Sequence, residues 1–216
     1  MTIDVLWLAG TGFGRSPDDI SLTFAKHLDA NRFRFLPVRY PADYGAAVSY
    51  ADSRADGRQA LIDAIRATPN LVVLGGYSQG AGIAGDLAAE IGRGQHPDLE
   101  VVGCALIADP ARPPRSGMPH RPPASGYGIT GARDVLGVPT WWAAAEGDPI
   151  CSLPAGNPLR TLADVTEYYS LADAADAWRW MQSLLARAEQ GRWQRWWSLR
   201  HWRTWGGAVA YARGYL

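Results

Sequence analysis

Residues 71–91, LVVLGGYSQGAGIAGDLAAEI, decide how the rest of the chain reads. Leu71–Leu74 is a short apolar run of the kind that forms a buried strand, and Gly75–Gly80 is a glycine-rich turn. Ala81–Ile91 carries small and apolar side chains at helical spacing and stops at Gly92. Within the turn, Gly76-Tyr77-Ser78-Gln79-Gly80 is a G-x-S-x-G placed between a strand and a helix. That context lifts a serine hydroxyl above the edge of a parallel sheet, on a bend that the flanking glycines permit. The bland alternative is an ordinary turn that caps a helix.

Outward from this segment, strands and helices alternate. Ile3–Ala9 predicts a strand that runs into the loop Gly10–Gly14, and Asp18/Asp19 precede a helix over ISLTFAKHL. Arg34–Tyr40 alternates like a strand, and Asp52/Ser53 start a helix that Pro69 closes. Val101–Ala108 and Val138–Ala145 are further strands, with a Pro/Gly/Arg-rich stretch at about 109–137 between them. A connection of that length suggests a binding loop or lid. Residues 171–185, 192–202 and 207–216 read as helices in a Trp-rich C-terminal region at about 171–216. The expectation is one α/β domain over 1–216, with a mostly parallel sheet covered on both faces.

Composition narrows the function. Lys+Arg and Asp+Glu are both 21, so no net positive field draws the chain to nucleic acid. The N-terminus lacks a basic region followed by an apolar core, so no signal peptide is expected, and no apolar run is long enough to span a membrane. Cys104 and Cys151 lack metal-ligand spacing; two buried free thiols are the simpler reading and a disulfide the rival. The Gly10–Gly14 loop has no G-K-[ST] and no acidic partner at dinucleotide spacing, so no cofactor or metal is expected.

A serine nucleophile needs a base, and the base needs an acid that fixes its tautomer. On this architecture the order along the chain is Ser, acid, His. Of His27, His96, His120 and His201, only His201 follows every plausible acid. Asp148 follows the strand VPTWWAAA directly and is the preferred acid; Glu146 and Asp109 are its rivals. Asp164, Asp173 and Asp176 read as cap or surface charges. The oxyanion donors are expected to be the backbone N–H groups of Gln79 and Thr11, with the Thr11 hydroxyl as a further donor.

With the GTG loop, Gly76–Ala81 (GYSQGA), the Asp109-Pro110-Ala111-Arg112 turn, Gly147–Ser152 (GDPICS) and His201 through Tyr211 in place, the sequence resembles the lysin B family of phages that infect mycobacteria. These enzymes are relatives of cutinase. The resemblance implies a cutinase-like α/β-hydrolase fold and hydrolysis of the ester between mycolic acids and arabinogalactan, with Ser78 as nucleophile, Asp148 as acid and His201 as base. It further implies a lipid-ester substrate and synthesis in the host cytoplasm, with release to the envelope at lysis. A cutinase-like lipase acting on other lipids, and a non-catalytic lipid- or glycan-binding protein, are the rival readings. A monomer is expected. Trp178, Trp180, Trp193, Trp196, Trp197, Trp202 and Trp205 alternate with arginines, which suits a core layer, a lipid-facing groove or lid, or an oligomer contact.

Overall fold

The computed structural model describes residues 2–167 together with Gln182. Five strands, β1 (Ile3–Leu8), β2 (Phe33–Pro37), β3 (Leu71–Tyr77), β4 (Gly103–Ile107) and β5 (Thr140–Ala143), form one sheet of order β2-β1-β3-β4-β5. Every neighbouring pair is parallel. The chain leaves β1 for β2 on one side and returns to β3 on the other, so the strand order reverses between β1 and β3. Crevices at such a reversal, beyond the carboxyl ends of the strands, are where ligands bind on open α/β sheets. Leu8 pairs with Gly76, which sets the loop after β1 beside the turn after β3.

The faces of the sheet follow from the strand period of two. Leu6 and Leu8 of β1, with Val72, Leu74, Cys104 and Leu106, belong to the buried core cluster. That cluster also holds Leu61, Ile62 and Ile65 of α2 (Tyr50–Ala67) and Ala81, Ile83, Ala84 and Leu87 of α3 (Gln79–Gly92). Trp7 faces the other way and stacks on Phe24 of α1 (Asp19–Lys26), with ring centroids 4.3 Å apart. Its indole N–H donates to Ser21 Oγ at 2.7 Å. Burial on both faces explains why β1, β3 and β4 read as apolar runs, while β2 at the sheet edge alternates.

Local chemistry fixes the ends of the helices. Asp18 caps α1, accepting from Ser21 N, as its position predicts. The cap of α2 is Ser49, three residues before the expected Asp52: Ser49 Oγ accepts from Asp52 N and donates to Asp52 Oδ2. A short helix absent from the sequence reading, α4 (Leu159–Thr166), begins after Pro158, and Asn157 Oδ1 accepts from Leu159 N at 3.1 Å. The cysteines are both buried and free, so the disulfide alternative fails. The C-terminal helices expected over 171–216, and the tryptophans they carry, lie outside the described residues apart from Gln182.

The segment at 109–137 is tied down by arginines. Arg112 is fully buried and its guanidinium donates to the carbonyls of Cys151, Ser116, Ala124, Ser125 and Gly126. Arg160, also buried, donates to the carbonyls of Gly128, Leu153, Tyr127 and Pro154 and lies over the Tyr127 ring. These bonds pack the segment against the turn after β5 and against α4.

Candidate active site

Ser78 lies between β3 and α3, at the N-cap position, with φ 52° and ψ −115°, in the positive-φ region that few residues other than glycine adopt. The strain is held from all sides. Ser78 N donates to Ile107 O at 2.9 Å, and Gly82 N donates to Ser78 O at 3.1 Å. A Cβ on Gly80 would stand 2.6 Å from Ala9 O and inside the contact shell of Leu8 O. At Gly76 it would run into the Gly80 carbonyl and stand 2.6 Å from Ala81 N. The two glycines of G-x-S-x-G are therefore steric requirements of a turn pressed against β1.

The Ser78 hydroxyl caps nothing in the helix and opens on a cleft of about 560 Å³. The expected oxyanion residues Thr11 and Gln79 line that cleft as well. Gln79 is the first residue of α3, so its N–H lies outside the helical ladder. In the GTG loop the Gly10 N–H donates to Asp18 Oδ2 and the Gly12 N–H to Ala42 O. The Thr11 N–H between them donates to no described residue. The side chain of Gln79, 1% exposed, ties this arrangement together. Its Nε2 donates to Asp43 O and Ser53 Oγ, so its Oε1 faces Thr11 and accepts from the Thr11 hydroxyl at 3.2 Å. In this arrangement the Thr11 hydroxyl donates to Gln79 and ties the loop after β1 to the start of α3.

Asp148 lies in the turn after β5, half-buried, as expected. Its Oδ1 accepts from Ile150 N at 2.8 Å and its Oδ2 from the Cys151 thiol at 3.3 Å. Ile150, two residues on, lines the cleft with Ser78. The rivals are otherwise employed. Glu146 is exposed and its carboxylate accepts from the hydroxyl and N–H of Ser125, which holds its carboxyl below the ordinary range. Asp109 is buried, paired with Arg133 at 2.6 Å, and accepts from Trp142 Nε1 and Ala111 N.

His201 lies outside the described residues. Among the described residues no histidine lines the cleft. His27 bonds Thr23 O on α1, and His96 pairs with Glu90 and contacts Arg58. His120 is exposed in the loop at 109–137. Sequence reasoning also passed over Tyr44, Tyr50, Arg54, Asp86 and Arg133, which line the cleft beside Ser78. No local motif marks them, because α2, α3 and two loops bring them together.

A nucleophile elbow at the switch point of a parallel sheet, with oxyanion candidates on both sides, defines the α/β-hydrolase class. The cutinase family model matches residues 9–184, and the chain belongs to the cutinase family. A curated relative, the carboxylesterase Culp6 homolog of Corynebacterium glutamicum, is 43% identical over 78 residues. That match covers 33% of this chain and only 25% of the relative. Among solved structures, lysin B from Mycobacteriophage D29 is similar with a TM-score of 0.62 at 17% identity, covering 99% of this chain and 89% of that one. A cutinase-like protein from Cryptococcus sp. gives 0.53 at 21% identity, covering 70% of this chain and 79% of its own. The catalytic core of acetyl xylan esterase from Trichoderma reesei gives 0.52 at 22%, covering 71% and 86% respectively. At these identities the solved structures bear on the fold.

Proposed function

We propose that the chain is a serine carboxylesterase acting through an acyl-enzyme on Ser78. The observation that carries this reading is the strained Ser78 turn, with its uncapped hydroxyl opening on the cleft between Thr11 and Gln79. Ser78 Oγ attacks the ester carbonyl carbon and passes its proton to the base, assigned to His201 and oriented by Asp148. The oxyanion collects the N–H groups of Gln79 and Thr11, helped by the positive end of α3. The C–O bond to the alcohol breaks as the base returns the proton to the leaving oxygen. Water repeats the sequence to release the acid and restore Ser78.

The finer reading assigns the substrate as the mycolyl–arabinogalactan ester and the role as envelope cleavage at phage lysis. It rests on the lysin B-like motifs and draws support from the likeness in fold to lysin B. A general cutinase-like esterase is the second reading, favoured by the family match itself.

Ser78→Ala is expected to lower hydrolysis of p-nitrophenyl butyrate on the order of 10⁴-fold or more and to abolish labelling by a fluorophosphonate. Retained turnover, or a native protein that takes no label, overturns the esterase. Release of free mycolic acids from purified mycolyl-arabinogalactan supports the finer reading, and hydrolysis of simple lipid esters alone supports the second.

A further inference from the structure

The cleft that holds Ser78 has two chemically distinct walls. Pro110, Ala111, Ile129 and Ile150 form one, stitched by backbone bonds from Ile129 N to Ile150 O and from Thr130 N to Pro110 O. The other is polar. Arg54 of α2 pairs with Asp86 of α3, Asp86 accepts from Arg133 at 2.8 Å, and Arg133 reaches the buried Asp109 at 2.6 Å. Tyr44 and Tyr50 continue this wall with ring centroids 4.7 Å apart, and Arg54 lies over the Tyr50 ring at 5.6 Å. Tyr44 is 42% exposed, so its ring is open to a ligand.

The polar wall is built into the fold. Arg133 lies so close to α3 that a Cβ on Gly85 would collide with its guanidinium, while its NH1 also donates to Gly82 O at 3.3 Å. Asp86 sits eight residues along α3 from Ser78, about 12 Å of helix rise. An alkyl chain laid against these ion pairs would strip their water and return no hydrogen bonds. Arg54 is shared between Asp86 and Glu167, and Arg133 between Asp86 and Asp109, so the guanidiniums are already matched and an anionic ligand finds no spare cation here. The Arg54 and Asp86 side chains keep 28% and 31% of their surface exposed, so the wall still presents donors and acceptors to the cleft. A ligand carrying several hydroxyls meets both donors and acceptors, and its C–H faces can rest on the exposed Tyr44 ring, which the buried Tyr50 backs.

We propose that Arg54, Asp86 and the Tyr44–Tyr50 pair determine specificity for the alcohol half of the ester, and that this half is uncharged and hydroxyl-rich. The acyl half lies against the Pro110/Ile129/Ile150 wall. Arg133 is a positioning residue that fixes Asp86. The inference rests on the esterase reading of Ser78, and its test separates the two.

Binding of methyl β-cellobioside, a neutral disaccharide probe, to the Ser78→Ala protein is followed by saturation-transfer NMR. Saturable millimolar binding is expected, weakened at least fivefold when Asp86→Asn or Arg54→Gln is added. Arg54→Gln leaves the Asp86–Arg133 pair in place, so it reports even where Asp86→Asn fails to fold. No binding, or equal binding by all three proteins, overturns the subsite. With Ser78 intact, the butyrate ester of methyl glucoside is compared with hexyl butyrate. Each variant is expected to lose tenfold or more kcat/KM on the sugar ester relative to its loss on hexyl butyrate, mainly through KM; parallel losses overturn the proposal. The binding titration needs no turnover, whereas failure of the esterase reading shows separately as a Ser78 that takes no fluorophosphonate.

Discussion

Replacing Arg112 by Ala tests the idea that one buried guanidinium holds the 109–137 segment against the turn that carries Asp148. Arg112 is fully buried and gives its N–H groups to the carbonyls of Cys151, Ser116, Ala124, Ser125 and Gly126 at 2.6 to 3.1 Å. Burial pulls its pKa below the usual arginine value, so the side chain does not come without cost to the fold. Its truncation removes bonds from a charged donor, each contributing about 1.5 to 3 kcal/mol when the donor is lost and the acceptor stays buried. Ser125 is exposed and Ala124, Gly126 and Ser116 are half-buried, so water replaces the guanidinium at most of these carbonyls. The Cys151 carbonyl belongs to a fully buried residue and has the least access to water. Adding the hole left by the side chain, the expected loss is about 3 to 5 kcal/mol. In a chain of this length that is about 10 °C in Tm. Circular dichroism melts give the Tm, and hydrolysis of p-nitrophenyl butyrate at a temperature where both proteins are folded gives the functional effect. Because Cys151 follows Asp148 by three residues, kcat is expected to fall as that turn loosens. Arg112→Met, which fills the space without donors, should behave like the Ala variant. A Tm within about 2 °C of the parent for both variants would refute the reasoning, since it would mean that the carbonyls are already hydrated.

Gly80→Ala places a methyl group against Ala9 O and Leu8 O, atoms of the β1 end that cannot swing aside, and is expected to cost 3 kcal/mol or about that, or to prevent folding; a parent-like Tm contradicts the packed elbow. Asp4 is held below the ordinary carboxyl range chiefly by Arg34, helped by Thr68 and Asn70. A depressed folded-state pKa contributes stability above the unfolded value that disappears as pH falls through the folded one. Asp4→Asn should therefore lower Tm near pH 7 by several degrees, with a gap that narrows as pH falls below the ordinary carboxyl range; a constant gap would count against the linkage. Burial pushes the thiols of Cys104 and Cys151 up to about 12, so neither should react with a disulfide reagent near pH 8 until the protein is unfolded. Native titration of either thiol would show that its pocket opens.

The elbow was legible because strand, turn and helix are local and each carries its own residues. Even there the sequence misplaces the boundaries. Gly75 and Gly76 read as turn, yet they lie in β3, because Trp7 and the Ala105 carbonyl leave no room for a side chain at Gly75. α3 likewise begins at Gln79, two residues before the expected start, since Gly80 is needed for contact with β1 and not to break a helix. α4 was passed over: it is eight residues long, its start rests on Asn157 Oδ1 accepting from Leu159 N, and it is held by Arg160 and by contacts such as Tyr44 Oη with Thr166 Oγ1 at 2.6 Å. The catalytic order Ser, acid, His is a linear property and could be argued from the chain, whereas the polar wall is not. Arg54, Asp86, Arg133 and Asp109 come from α2, α3 and the two ends of the 109–137 segment, and each alone reads as an ordinary surface charge. Their meaning lies in an alternation of sign along a path through space, Arg to Asp to Arg to Asp, that no one-dimensional spacing encodes. The same asymmetry holds for chemistry and specificity in this fold. The reacting serine must sit at a steric singularity that glycines announce, while selectivity for the leaving alcohol rests on long side chains whose positions follow only from tertiary packing.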